Sequence, residues 1–152
     1  HEIDRALLLL GMPRRVRATI QTQAHRIEAE DAGVTEWEYE DGKVVRYAST
    51  TNYPVGAWYC KLEISGTEGA YVHVSGGPEG NHTWWGKGDA WSETCPVPVG
   101  QPWRQGSDNF ANSVRTGAPL DVRGEQGRLS RLILDAIYES ALGSGQWVEV
   151  KA

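Results

Sequence analysis

Asp41-Gly42, set between alternating stretches that run from Thr35 to Ala48, constrains the fold of this chain more than any other feature. An Asp-Gly pair tolerates the positive φ values of a two-residue hairpin turn, so the flanking segments are expected to pair antiparallel. That turn sets Glu40 against Lys43, Tyr39 against Val44 and Trp37 against Arg46, which would place an ion pair beside the turn and a cation over an indole. One face of the hairpin is then aromatic and the other acidic. Trp58 to Ser65 alternates again, and Gly66-Thr67-Glu68-Gly69 turns it back into Ala70 to Val74 as a second hairpin.

Helical patterns flank this sheet-forming middle. Ile3, Ala6, Leu7 and Leu10 recur at helical spacing, and Gly11 and Pro13 stop them. Arg14 to Gln23 alternates as a strand, with Val16, Ala18 and Ile20 on one face and Arg15, Arg17 and Thr19 on the other. Ser107 or Asp108 can cap a helix that runs through Phe110, Ala111 and Val114 to Gly117 and Pro119. A longer helix is expected from about Glu125 to Leu142, with a stripe of Leu129, Leu132, Ile133, Ala136 and Ile137, before a last strand at Trp147 to Val150. This order predicts one α+β domain over residues 1–152: an open-faced, largely antiparallel or mixed β-sheet with helices packed on one face. With Trp37 and Tyr39 near strand positions, the uncovered face would be a large apolar patch, and a homo-oligomer joined through it is expected.

Composition excludes several classes of partner. Fifteen basic residues against 20 acidic ones give a net charge of −5, the wrong sign for tracking nucleic acid. The longest apolar run, Ala6 to Leu10, falls far short of the roughly 20 residues of a membrane-spanning helix. Cys60 and Cys95 are too few for a disulfide scaffold and suit a cytoplasmic setting, although a single bridge between them stays open. His73, His82, Cys60 and Cys95 lack the close paired spacing of structural zinc sites, so no metal is expected. The chain opens on His1 with no initiator Met, signal-peptide pattern or capping residue ahead of a helical stretch, which reads as a cut end.

Ser75 to Gln105 breaks all periodicity and holds four of the seven tryptophans. A structureless loop of that length is expected to bind something or to fold over a site. Trp84, Trp85, Trp91 and Trp103 alternate with Lys87, Asp89 and Arg104, joining flat apolar faces to hydrogen-bonding groups as a sugar ring requires. The competing reading is that these indoles cover a sheet edge or bury against a neighbouring subunit.

Several stretches resemble the Gfo/Idh/MocA oxidoreductases, the glucose-fructose oxidoreductase and inositol dehydrogenase family. They are HEID and LLLLGMPRRVRA at the start, EYEDGKV and LEISGTEGAYVHV in the middle, and NFANSVRTGAPL and LILDAIYESALGSGQWVEV at the end, in the family's order. The resemblance implies the C-terminal, substrate-binding and oligomerising domain of an NAD- or NADP-dependent dehydrogenase acting on a sugar, inositol or related polyol. A Rossmann domain ahead of it would hold the cofactor. No G-x-G-x-x-G follows a strand here, so no cofactor-binding residue is assigned in this chain and the chain alone is expected to be inactive. His1 matches the histidine of the family's D-x-x-x-H motif, which implies a proton-handling role beside the nicotinamide, since oxidising a secondary alcohol releases a proton as well as a hydride. The aspartate of that motif would lie four residues before His1. Rival readings are a carbohydrate- or ligand-binding module without chemistry and a dimerisation domain whose aromatic sheet face is the whole function.

Overall fold

The computed structural model describes residues 1–52, 58–76, 82–94 and 102–151, with the side chains of 93–94 and 102–104 left out of the description. The chain packs as two compact units, one made of His1–Asn52 with Leu120–Ala152 and the other of Tyr53–Pro119.

The first unit begins with α1 (Glu2–Leu10), followed by the strands β1 (Arg15–Gln21), β2 (Ala32–Glu38) and β3 (Val44–Thr50). These form an antiparallel sheet of order β3-β2-β1-β8, whose last member, β8 (Val148–Glu149), follows the long helix α3 (Gly124–Leu142). The alternation of the sequence sorts the faces as expected. Val16, Ala18, Trp37 and Tyr39 turn inward and join Ile133, Ala136 and Ile137 of α3 and Val148 in one buried core, and Ile3, Ala6, Leu7 and Leu10 of α1 pack against it. The α+β class and the helices on one sheet face therefore hold. The aromatic face itself is not left open, because α1 and α3 cover it.

The other face of this sheet is charged. Arg15 bonds Glu38, Arg17 bonds Glu36, and Arg46 Nε donates to Glu36 Oε1 at 3.0 Å. The guanidinium groups of Arg15 and Arg17 lie 4.7 and 4.9 Å from the Trp147 ring centroid. The guanidinium groups of Arg46 and Arg17, bonded to it, hold the Glu36 carboxyl below its ordinary value.

The β2–β3 register differs by one residue from a two-residue turn. Glu38 faces Val44 and Glu36 faces Arg46, while Tyr39 accepts the Gly42 N–H and donates to Lys43. The loop is thus Glu40-Asp41-Gly42, with Gly42 at φ 84°, the left-handed end of a three-residue turn. The expected cation over the Trp37 indole is replaced by Lys43 over Tyr39, 5.0 Å from its centroid, and the ion pair beside the turn is Lys43 with Asp41.

One helical residue closes a gap that a strand leaves. β8 reaches only to Val16 along β1, so the Ala18 N–H has no strand partner on that side. Ser140, fully buried in α3, supplies the acceptor at 2.9 Å and donates its own proton to the Gln146 carbonyl. α3 itself starts with Gln126 Oε1 accepting the Arg123 N–H at 2.7 Å and ends at Gly143.

The second unit holds an antiparallel sheet of order β4-β5-β6-β7 and the helix α2 (Pro102–Thr116). β4 (Tyr59–Ser65) and β5 (Ala70–Gly76) pair across Gly66–Gly69 as the sequence indicates. The segment read as a structureless loop instead carries a third hairpin, β6 (His82–Lys87) and β7 (Ala90–Thr94), turning at Gly88-Asp89 with Gly88 at φ 58°. α2 begins at Pro102 rather than at a Ser107 or Asp108 cap. Proline fits a helix's first position because its missing N–H has no intrahelical acceptor there. Among the described residues no helix is long and apolar enough to cross a membrane.

Candidate functional site

His1 stands at the N-cap of α1. Its carbonyl accepts the Arg5 N–H at 2.9 Å, and its exposed imidazole makes no capping bond. The rest of the first turn is committed to structure: Glu2 pairs with Arg5, and Asp4 Oδ1 accepts the Ser130 hydroxyl of α3 at 3.1 Å. An imidazole so placed has both ring nitrogens available to a substrate hydroxyl.

The tryptophans divide between two surfaces. Trp84 and Trp85 are successive strand residues and so point to opposite faces of the second sheet. His82 stacks on Trp84 with centroids 5.3 Å apart and planes at 10°. Trp91 faces Gly86 across β6 and β7, and a Cβ on Gly86 would come within 2.9 Å of its indole, so the glycine is what lets that ring lie over the strand. His82, Trp84 and Trp91 thereby form one aromatic row. On the opposite face Trp85 lies directly across from Tyr71, and both are exposed. Lys87 reaches Glu68 at 2.9 Å beside an open depression of about 610 Å³ bounded by Ile64, Tyr71 and Trp85. Asp89 sits in the hairpin turn. The structure therefore groups Trp84 with Trp91, and Trp85 with Lys87, on separate faces. The side chains of Trp103 and Arg104 lie outside the described residues, as does Cys95. No group of three or more His, Cys, Asp or Glu side chains able to hold a metal occurs among the described residues.

Asp31 escaped sequence reasoning. It is 2% exposed, and its carboxylate accepts the backbone N–H groups of Gln23, Ala24 and His25 at 2.7, 2.8 and 2.9 Å and the His25 Nδ1–H at 3.0 Å. These donors favour the charged form and hold the Asp31 carboxyl far below the carboxylate range, clasping the loop between β1 and β2. A depressed pKa stabilises the fold above the unfolded-state value of about 3.9, and that contribution is lost as pH falls through the native value. The melting-temperature gap between the protein and Asp31→Asn should accordingly be widest near neutral pH and narrow below about pH 4. A gap independent of pH would show that the clasp does not depend on the charge.

Three comparisons with known proteins bear on this site. The model of the GFO/IDH/MocA C-terminal domain family matches residues 1–72. The WlbA dehydrogenase of Bordetella pertussis, solved with NADH and UDP-GlcNAcA, is 27% identical with a TM-score of 0.75, over 100% of this chain and 43% of that one. A levoglucosan dehydrogenase, solved with NADH and levoglucosan, is 21% identical with a TM-score of 0.74, over 99% and 48%. An oxidoreductase of Agrobacterium radiobacter, solved with NAD+, L-tartaric acid and magnesium, is 19% identical with a TM-score of 0.65, over 99% and 47%. This chain thus spans about half the length of the solved structures it matches. No curated protein matches it. Residues 1–72 of this chain are thus similar to the GFO/IDH/MocA C-terminal domain, and the chain shares its fold along its whole length with about half of the WlbA dehydrogenase.

Proposed function

We propose that this chain is the substrate-binding and oligomerising domain of a cytoplasmic, nicotinamide-dependent dehydrogenase acting on a sugar, inositol or related polyol. The observation that carries this reading is His1, exposed at the start of α1 with its ring uncommitted, inside the stretch that the family model matches. The sequence holds no G-x-G-x-x-G, the motif whose turn cradles the cofactor's phosphates. NAD or NADP is therefore assigned to a separate nucleotide-binding domain, where it would supply the hydride acceptor. His1 takes the proton that the substrate hydroxyl releases.

The aromatic rows suit the two ends of this function. The row of His82, Trp84 and Trp91 offers flat apolar surface with an imidazole edge, which matches one face of a sugar ring. The face bearing Tyr71 and Trp85, 36% and 53% exposed, is the surface assigned to self-association. The sugar-like ligands in the WlbA and levoglucosan dehydrogenase structures support the substrate class. The test is turnover: the protein joined to its nucleotide-binding domain should reduce NAD+ or NADP+ with at least one member of a panel of aldoses, inositols and sugar acids. Trp84→Ala should raise KM or lower kcat/KM. Absence of any cofactor reduction across the panel would leave a binding or dimerisation module as the better reading.

A further inference from the structure

The first unit contains a cavity of about 240 Å³ between the inner face of its sheet and its helices. Its apolar walls are Ile3 of α1, Ile20 of β1, and Leu134 and Ile137 of α3. Polar residues line it as well, Ser49, Thr50 and Thr51 at the end of β3 among them. Tyr138 donates its hydroxyl proton to Glu30 Oε1 at 2.7 Å, linking α3 to the loop that Asp31 clasps from the adjacent position. Thr35, 4% exposed, accepts the Trp37 indole N–H at 2.7 Å and keeps its own hydroxyl proton to donate. Tyr47 lines it from β3.

The chemistry of this lining selects a ligand. Apolar walls joined to convergent polar groups are found at small-molecule sites. Among the described residues that line it there is no Lys, Arg or His, and the two acidic ones are Glu30 and Asp31. Asp31 already accepts its bonds from the loop backbone and His25, which leaves Glu30 as the carboxylate able to accept a ligand's proton. An anion would enter unpaired beside a carboxylate, which is unfavourable. The volume equals that of about eight waters of the liquid, enough for one six-membered ring with a substituent.

From this we infer that the cavity is a binding site for a neutral alicyclic or aromatic alcohol, its ring against Ile20, Leu134 and Ile137 and its hydroxyl on the Glu30–Tyr138 pair. His1, Trp84, Trp85 and Trp91 are not among the residues that line it, and the inference does not rest on the dehydrogenase reading.

Cyclohexanol is the probe, titrated into the full chain and followed by amide chemical shifts. Saturable shifts should centre on residues 30–35, 47–51 and 134–138. Ser49→Phe, at an exposed position of β3 that lines the cavity, should abolish them while leaving the rest of the spectrum in place. Tyr138→Phe should weaken binding by about two- to tenfold, the loss of one hydrogen bond that fixes Glu30. Cyclohexanecarboxylate should bind at least about tenfold more weakly than cyclohexanol. The assignment is overturned if cyclohexanol gives no saturable shift, if Ser49→Phe binds it unchanged, or if the carboxylate binds as tightly.

Discussion

Trp37→Ala is expected to destabilise the first unit by about 3–5 kcal/mol, the range for removing a fully buried aromatic side chain. Trp37 is 0% exposed at the centre of the core between β1, β2 and α3, and its indole N–H is satisfied inside the protein by Thr35. Deleting the ring leaves a void among Val16, Ile133 and Ile137 and takes away the Thr35 hydroxyl's indole partner. Against a total stability of about 5–15 kcal/mol this is a large fraction, and the melting temperature should fall by at least about 10 °C. Trp85→Ala is the control. That ring is 53% exposed, so its loss should cost within about 0.5 kcal/mol in the monomer. Equal melting temperatures for the two variants would mean that the core is not organised around Trp37.

The sequence reveals this core because the relevant periods are short-range. Val16 and Ala18 alternate with Arg15 and Arg17, and Ile133, Ala136 and Ile137 repeat at helical spacing, so the buried faces are visible before any contact is known. The β6–β7 hairpin is hidden for the opposite reason. Trp84 and Trp85 place large apolar rings on both faces of one strand, and Gly86 and Gly88 interrupt it, so no wet-dry alternation survives to be read. The β2–β3 register slipped because Asp-Gly alone does not distinguish a two-residue from a three-residue loop, and one residue moves Arg46 from Trp37 to Glu36.

Polar devices that act across long sequence separations were not legible at all. Ser140 bonds Ala18 over 122 positions, and as a serine among helical core positions it gives no sign of doing so. Asp31 closes a polar loop whose only sequence mark is an acidic residue ahead of a strand. At the candidate site, the role proposed for His1 rests on the motif it resembles, whereas the tryptophans stand out in the sequence as a group but not in their division between two faces.

His1→Ala carries the largest expected effect on activity. In the protein joined to its nucleotide-binding domain, the remaining first turn cannot replace the imidazole, because Glu2 pairs with Arg5 and Asp4 accepts Ser130. Loss of a positioned general acid–base group costs about 10²–10⁴ in rate. The side chain is exposed and packs on nothing in the core, so the melting temperature should move little. The direct measurement is kcat for cofactor reduction by wild type and His1→Ala, taken beside the dissociation constant for NADH or NADPH. A fall of at least about 10² in kcat with cofactor binding unchanged is the expected result. Turnover within about twofold of wild type would contradict the assignment of His1 to proton transfer, and with it the account of this domain as the substrate half of a dehydrogenase.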